Sequence, residues 1–372
     1  MKASVPDLLR KHPVIDGHND LLWALRHRHN YDFDAVDIGE RQDGLVHTDL
    51  PRLREGGVGA QFWSVYVPST MGSEAVAATL EQVDAAYRMI ERYADRMALA
   101  TTADEVEAAW ALGRVASLLG AEGGHQIDGS LAVLRMYHRL GVRYLTLTHN
   151  DNVAWADSAT DERVLGGLND VGRGVVAEMN RLGMMVDLSH VSAETMSDAL
   201  DVSTAPVIFS HSSAYALVDH PRNVPDDVLM TMAGRGGLCM VSFVPRFVSQ
   251  ANRDWALAAE DAARDAGIEP RELARFEPFL DHLERVDPPP TATITDVVAH
   301  VEHVRDVAGI DHVGLGGDFD GVTTLPDGLE DVSRYPNLLE ALAGRGWSAD
   351  DLGKLTCRNV LRVMRSVEDV AG

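Results

Sequence analysis

The chain has 372 residues, of which 45% are hydrophobic and 24% are charged, a composition typical of a globular protein with a large core. Its formal net charge is -24, which argues against nucleic acid and anionic membranes as partners, because both select for basic patches. Two cysteines are too few for a disulfide framework or a cysteine-based zinc site.

The N-terminal residues lack the basic and then apolar stretch of a signal peptide, and no apolar run approaches the ~18 residues of a membrane span. The C-terminus has neither the hydrophobic tail of a lipid-anchor signal nor a prenylation motif. A cytoplasmic protein without a membrane partner is therefore expected.

Short apolar runs alternate along the chain with longer amphipathic stretches, which is the pattern of repeated βα units. The apolar runs predict eight strands: Val14–Asp16, Gly59–Val67, Val115–Ala121, Arg143–Thr148, Met184–Leu188, Val207–Ser210, Gly237–Val244 and Val313–Gly316. Eight such units predict an α/β fold, a (β/α)8 TIM barrel, with residues 1–372 forming a single domain. Residues 245–293 are rich in charge and contain three successive prolines, and they predict a helical excursion near the barrel mouth.

Residues able to bind a metal ion follow most of these strands. The first strand ends at His18 and Asp20, which point to the same side of an extended segment because they are two residues apart. The third to sixth strands and the eighth end at five more such residues: Glu122, His149, His190, His211 and Asp318. Because the carboxyl ends of all barrel strands face one mouth, we expect these side chains to converge there.

A single histidine at a strand end is more often a solvated or capping residue than a ligand. Three successive strands that each end in histidine favour a site, since strand ends have no packing reason to prefer imidazole. Four other histidines lack this context and are predicted to lie on the surface: His27, His29, His300 and His303.

The potential ligands outnumber those that one tetrahedral zinc ion needs. They predict two metal ions with Glu122 as the shared ligand, a pair that activates a bridging water and polarises a carbonyl group. Asp318 is then placed to act as general base and acid, taking a proton from the attacking water and passing it to the leaving amine. Neither a Gly-x-Ser-x-Gly motif nor a phosphate-binding loop motif occurs.

The chain resembles the membrane (renal) dipeptidase family of zinc peptidases, within the amidohydrolase superfamily. The matching segments occur in family order through most of the chain: Ile15–Asp20, Ala121–Gly124, Leu147–Asp157, Val186–His190, Ser210–Ser213, Pro221–Asp227, Gly316–Gly321 and Gly328–Pro336. Together they are far more specific than any one of them.

This resemblance implies a (β/α)8 fold and two Zn²⁺ ions per chain. By motif position, His18, Asp20 and Glu122 would hold one ion. Glu122, His190 and His211 would hold the other. His149 would polarise the substrate carbonyl, Arg222 would bind the free carboxylate of a dipeptide, and Asp318 would be the proton shuttle, with Asp320 as a rival for that role.

The resemblance further implies a small dipeptide substrate, including L-Xaa-D-Xaa dipeptides, and a possible homodimer. The chain departs from the mammalian members because it has no secretion signal, no anchor signal and no cysteine pattern for their disulfides. Two alternatives stay open: a related metal-dependent amidohydrolase that acts on a lactone, cyclic amide or N-acyl amino acid, and a non-catalytic protein that binds peptides or metal.

Overall fold

Eight parallel strands close into a barrel in the computed structural model, which describes residues 4–270 and 272–372. Nine strands are formed: β1 Val14–Asn19, β2 Val58–Ser64, β3 Met97–Leu99, β4 Val115–Glu122, β5 Val142–Thr146, β6 Met185–Asp187, β7 Ile208–Phe209, β8 Leu238–Val241 and β9 Val313–Leu315. The ring runs β1-β2-β4-β5-β6-β7-β8-β9 and closes where β9 pairs with β1. The predicted (β/α)8 barrel is therefore confirmed.

Strand β3 is the one strand of the described residues that the sequence did not predict. It pairs with the first residues of β4, at Val115–Ser117, while β5 pairs with the later residues of β4. Its sequence, Met-Ala-Leu, contains no β-branched side chain and is too short to show alternation. Strand β3 forms because it pairs with β4, and the pattern of apolar residues along the chain does not indicate such a long-range contact.

Helices follow the strands and cover the outside of the barrel. They are α1 Val5–Lys11, α2 Leu21–His29, α3 Leu50–Glu55, α4 Ala75–Arg92, α5 Ala103–Ala111, α6 Leu131–Arg139, α7 Asp170–Leu182, α8 Ala193–Val202, α9 Asp226–Gly234, α10 Pro245–Val248, α11 Gln250–Asp265, α12 Leu273–Val286, α13 Ile294–Ala308, α14 Tyr335–Gly344, α15 Ala349–Gly353 and α16 Asn359–Val370. Ser192 and Ser348 cap α8 and α15, each accepting a hydrogen bond from a first-turn backbone N–H. Shorter turns of 3₁₀ helix occur at Ser69–Glu74, Gly124–Ile127, Ile310–His312 and Val332–Arg334, and a π-helical turn occurs at Lys354–Arg358.

Apolar side chains fill the inside of the barrel as well as the layer beneath the helices. Strands β1 and β2 are buried at every position, as expected for parallel strands covered on both faces. The rings of Phe62 on β2 and Tyr144 on β5 lie 5.4 Å apart between centroids. Since β2 and β5 are not neighbours in the ring, this contact crosses the barrel interior.

The segment predicted as a helical excursion contains α10, α11 and α12 and begins directly after strand β8. It brings the side chains of α10 to the end of the barrel where the strands finish. Among the residues that the structure describes, no helix is both long and apolar enough to cross a membrane.

The prediction that His300 lies on the surface was wrong. His300 is buried on α13, and its Nδ1 accepts a hydrogen bond from the backbone N–H of Ala214 at 3.0 Å. Its helical position was identified correctly, but the buried face of α13 includes it beside Val297, Val301 and Val304.

Candidate metal centre

The ends of six barrel strands bring the predicted ligands together. His18 lies in β1, Asp20 follows it, and Glu122 is the last residue of β4. The loops after β5, β6, β7 and β9 carry His149, His190, His211 and Asp318. All seven side chains belong to overlapping groups whose potential ligand atoms lie within 4.8 Å of one another.

Glu122 stands at the middle of this cluster and presents its two carboxylate oxygens to different partners. Oε2 lies 3.4 Å from Nε2 of His18 and accepts a hydrogen bond from the Ser64 hydroxyl at 3.1 Å. Oε1 lies 3.0 Å from Nε2 of His190 and 3.4 Å from Nε2 of His211. A carboxylate arranged in this way is suited to bridge two cations.

The donor set fits divalent metal ions. It combines imidazole nitrogens with carboxylate oxygens, the ligands that zinc and similar metals take in proteins. Oδ1 of Asp20 is buried and has no hydrogen-bond partner among the described residues, although its Oδ2 lies 3.1 Å from Nε2 of His18. A cation beside Asp20 would satisfy this oxygen.

The groupings by distance differ from the predicted ligand sets. Besides His18 with Glu122 and His211, they join His149 with Glu122 and His190, and Asp318 with His18 and Asp20. His149 and Asp318, which family resemblance assigns to the substrate and the proton, therefore lie close enough to contact a bound ion as well.

The protonation of the cluster also suits metal binding. Burial raises the pKa of Glu122, but neighbouring histidines, above all His18, outweigh it, and the pKa lies well below its usual range. Burial lowers the pKa values of His190 and His211 well below normal, and the positive charge of Arg222 acts in the same direction. The carboxylate is thus charged, and both imidazoles are neutral with a lone pair available.

Hydroxyl groups hold the Nδ1 side of two of the histidines, His18 and His211. The Ser210 hydroxyl donates to Asp187 at 2.6 Å and so accepts from Nδ1–H of His211, which lies 2.8 Å away. The Tyr144 hydroxyl, 2.9 Å from Nδ1 of His18, donates to the carbonyl oxygen of Gly17 at 3.3 Å. In His211, Nε2 is thus left unprotonated and faces Glu122. Although burial opposes it, the charge of Glu122 raises the pKa of His18 well above its usual range, so Nε2 of His18 carries a proton toward Asp20 and Glu122 that a bound cation would displace.

Two buried aspartates, Asp16 and Asp187, hold the strand ends in register below the cluster. Oδ1 of Asp16 accepts from the backbone N–H groups of His18 and Gly317, at 3.1 and 2.9 Å. Oδ1 of Asp187 accepts from the backbone N–H groups of Ser189 and Ser210, at 3.1 and 2.8 Å. Each aspartate therefore connects its own strand end to a neighbouring one. No role was predicted for either aspartate from the sequence, although a carboxylate within an apolar strand is a signal of a buried structural contact.

Strained backbone occurs at two of the predicted site residues. His190 has a φ of 71° and Asp318 a φ of 60°, in the left-handed region that residues other than glycine rarely adopt. Such residues cost on the order of 1–3 kcal/mol and cluster at functional sites. The surrounding loops hold both side chains toward the cluster.

The two aspartates that competed for the proton-shuttle role have different surroundings. Burial raises the pKa of Asp318 to about 7; Asp20 and Glu122 act in the same direction, and His18 and Arg222 oppose them. Asp320 instead accepts a hydrogen bond from the backbone N–H of His47 at 2.7 Å, which ties it to the loop before α3. Only Asp318 belongs to a ligand group with His18.

Arg222 is a buried cation without a carboxylate partner among the described residues. Its Nη1 donates to the Ser212 hydroxyl at 3.3 Å, and its Nη2 donates to the carbonyl oxygen of His211 at 3.2 Å. Its Nε has no partner. Burial lowers the pKa of Arg222 to about 10, so it remains charged at neutral pH. An unpaired guanidinium beside the cluster is suited to an anionic group of a substrate.

A family model for membrane dipeptidases, peptidase family M19, matches residues 2–372. The chain belongs to this family. It is 46% identical to dipeptidase tcpJ of Claviceps purpurea (strain 20.1), over 96% of this chain and 77% of that protein. Membership identifies the chain as a metallopeptidase that hydrolyses dipeptides, and the resemblance seen in the sequence is confirmed.

Solved structures of similar proteins share the fold over nearly the whole length. The probable dipeptidase PvdM from Pseudomonas aeruginosa superposes with a TM-score of 0.87 at 21% identity, covering 99% of this chain and 98% of that one. A metallopeptidase from Rhodobacter sphaeroides, liganded with a phosphinate mimic of the dipeptide L-Ala-D-Ala, has a TM-score of 0.78 at 27% identity, covering 95% and 99%.

Proposed function

We propose that the chain is a binuclear zinc dipeptidase that hydrolyses dipeptides with free ends, including L-Xaa-D-Xaa dipeptides. The observation that carries the proposal is the position of Glu122, whose two oxygens face different histidines. The relative from Rhodobacter sphaeroides, liganded with a mimic of L-Ala-D-Ala, supports the choice of substrate.

In this proposal two ligand sets share Glu122. His18 and Asp20 complete the first set, and His190 and His211 complete the second. Two zinc ions held there would supply an activated water and polarise the scissile carbonyl.

The remaining residues position the dipeptide and move the proton. The Arg222 guanidinium binds the α-carboxylate of the C-terminal residue, which fixes the distance of the peptide bond from the cluster. Burial lowers the pKa of His149 to about 4, so its imidazole is neutral and donates a hydrogen bond to the carbonyl oxygen. Asp318 takes a proton from the attacking water and delivers it to the amide nitrogen as the C–N bond breaks.

The experiment that tests this function is a screen of zinc-loaded protein against L-Xaa-L-Xaa and L-Xaa-D-Xaa dipeptides, alongside a lactone, a cyclic amide and N-acyl amino acids. Cleavage of dipeptides, lost when the C-terminal carboxylate is amidated, is the expected result. Preferred turnover of the lactone or cyclic amide would favour the alternative amidohydrolase. Binding of dipeptides without cleavage would favour a non-catalytic protein.

Arg222→Met sharpens the test because it removes the charge while keeping an unbranched apolar side chain. We expect KM for a free dipeptide to rise at least tenfold, with a much smaller change for the carboxamide. Arg235→Met is the matched control, since Arg235 lies on the surface in an ion pair with Asp201 at 2.9 Å. Equal loss on the free and amidated substrates would contradict the role of Arg222.

A further inference from the structure

A second arginine, Arg246, lies beside Arg222. It is the second residue of α10, in the segment that leaves the end of strand β8. Its Cζ lies 5.6 Å from the centroid of the Phe247 ring, and Cζ of Arg222 lies 5.3 Å from the same centroid. The buried Phe247 ring therefore holds two guanidinium groups near each other at the substrate end of the barrel.

Arg246 has no hydrogen bond or ion pair with any residue that the structure describes, and its side chain is exposed. Of the other arginines in the same excursion, Arg264 pairs with Glu260 at 3.2 Å and with Asp261 at 2.8 Å, whereas Arg253 forms no ion pair with the residues that the structure describes. Arg246 shares the lack of a carboxylate partner with Arg222, although the chain has 57 acidic side chains and 33 basic ones. Its packing on Phe247 keeps it near Arg222.

The charge of Arg246 also acts on the candidate centre. Burial lowers the pKa of Arg222 to about 10, and the positive charge of Arg246 acts in the same direction. The surrounding protein lowers the pKa of Arg246, and the carboxylates of Glu260 and, more weakly, Asp318 oppose this lowering. The mouth thus contains two cations where a dipeptide with one α-carboxylate needs only one.

We propose that Arg246 binds a second anionic group, the side-chain carboxylate of an acidic C-terminal residue, so that dipeptides ending in aspartate or glutamate are preferred substrates. The inference rests on the proposed function, in which Arg222 takes the α-carboxylate. The side chain of the C-terminal residue branches from the carbon next to that carboxylate. It is therefore the part of the dipeptide nearest to the second guanidinium, whereas the N-terminal side chain lies beyond the scissile bond.

Isosteric pairs of substrates isolate the charge from the shape of the side chain. We would measure kcat/KM for Ala-Asp against Ala-Asn and for Ala-Glu against Ala-Gln, with the C-terminal residue in both the L and D configurations. The wild-type protein is expected to favour the acidic member about tenfold, as a charge-assisted hydrogen bond in a partly desolvated cleft allows. A wild-type ratio near one in all pairs would overturn the proposal.

Variants at Arg246 then test whether this residue is the cause. Arg246→Gln is expected to bring the ratio close to one, Arg246→Lys to keep part of it, and Arg246→Glu to favour Ala-Lys over Ala-Gln. Arg235→Gln, which removes an exposed arginine remote from Phe247, is expected to keep the wild-type ratio. An Arg246→Gln protein that retains the full preference would overturn the proposal.

Failure of this inference is distinguishable from failure of the proposed function. A protein that cleaves Ala-Asp and Ala-Asn equally well is a dipeptidase in which Arg246 only packs on Phe247. A protein that cleaves none of the dipeptides contradicts the proposed function, and this inference with it.

Discussion

The carboxylate of Glu122 connects the histidines from opposite sides of the barrel mouth. His18 from β1 lies 3.4 Å from one oxygen, and His190 from the loop after β6 lies 3.0 Å from the other. Sequence spacing predicted that these residues converge, because strand ends in a barrel share one mouth. Sequence spacing did not predict the residues that contact the histidines from behind. Nothing in the sequence distinguishes Tyr144 and Ser210 from other tyrosines and serines, and only the fold places their hydroxyl groups against His18 and His211.

Asp318 is the residue whose change should separate chemistry from metal binding. We expect Asp318→Asn to keep its bound zinc and to lose about a hundredfold to ten-thousandfold in kcat, since asparagine cannot accept the proton of the attacking water. Steady-state kinetics and the metal content of the same sample measure the two effects. A variant with near-wild-type kcat would rule out Asp318 as the proton shuttle.

Replacing Ser210 should weaken zinc binding rather than slow the proton transfer. Its hydroxyl joins Asp187 to Nδ1 of His211, so we expect Ser210→Ala to weaken zinc binding about 10- to 100-fold. Competition with a chelator measures the change. Ser197→Ala, an exposed position on α8, is the control, and equal zinc affinities in both variants would show that Ser210 does not orient His211.

At the scale of elements, the barrel interior and the metal cluster depend on the same packing. Tyr144 reaches His18 across the barrel because Gly120 on β4 leaves room for its ring: a Cβ at Gly120 would lie 2.0 Å from the ring. A pattern search finds β4 from its apolar run but cannot detect this contact, which joins residues on two strands. For the same reason β3 was missed and His300 was placed on the surface.

We expect Gly120→Ala to destabilise the protein by roughly 1–3 kcal/mol, because the added methyl group must displace the Tyr144 ring. Weaker zinc binding should accompany the loss, since the hydroxyl then leaves Nδ1 of His18. Urea unfolding measures the stability. Gly174→Ala is the matched control: it lies within α7 with open space around it and should be neutral or stabilising by up to about 1 kcal/mol. Equal stabilities for the two variants would contradict this account of the packing.

For the whole molecule, the sequence predicted the barrel and the position of the proposed metal ligands, His149 and Asp318 at strand ends, whereas Arg222, in the loop between β7 and α9, was identified only by family resemblance. These predictions were possible because parallel strands that are buried on both faces appear in the sequence as continuous apolar runs. In addition, the catalytic residues of such a barrel lie at the carboxyl ends of its strands. The local detail of the excursion at residues 245–293 was not predicted, and it places Arg246 on Phe247. Cytoplasmic location and a possible homodimer stay predictions.

Buried neutral histidines should make the whole molecule sensitive to acid. Burial lowers the pKa of His300 from 6.5 to about 4, and its Nδ1 must stay unprotonated to accept from the backbone of Ala214. The unfolded chain binds this proton more readily, so the stabilising effect is complete above about pH 6.5 and is lost as the pH falls toward 4.

His300→Asn keeps an acceptor at this position but cannot titrate. Between pH 7.5 and pH 5, we expect its free energy of unfolding to fall by about 2 kcal/mol less than that of the wild type. Denaturant unfolding at both pH values, with exposed His27→Asn as the control, measures the difference. Parallel pH profiles for the wild type and His300→Asn would mean that His300 does not contribute to acid sensitivity.

In the proposed centre, one carboxylate, Glu122, holds two zinc ions together. This arrangement is tested by the number of zinc ions bound per chain. The protein is reconstituted with zinc, excess metal is removed, and the bound zinc is measured by elemental mass spectrometry. We expect two ions in the active wild-type protein and at most one in Glu122→Ala. A fully active wild-type protein with a single zinc ion, or a Glu122→Ala protein that still binds two, would contradict this arrangement.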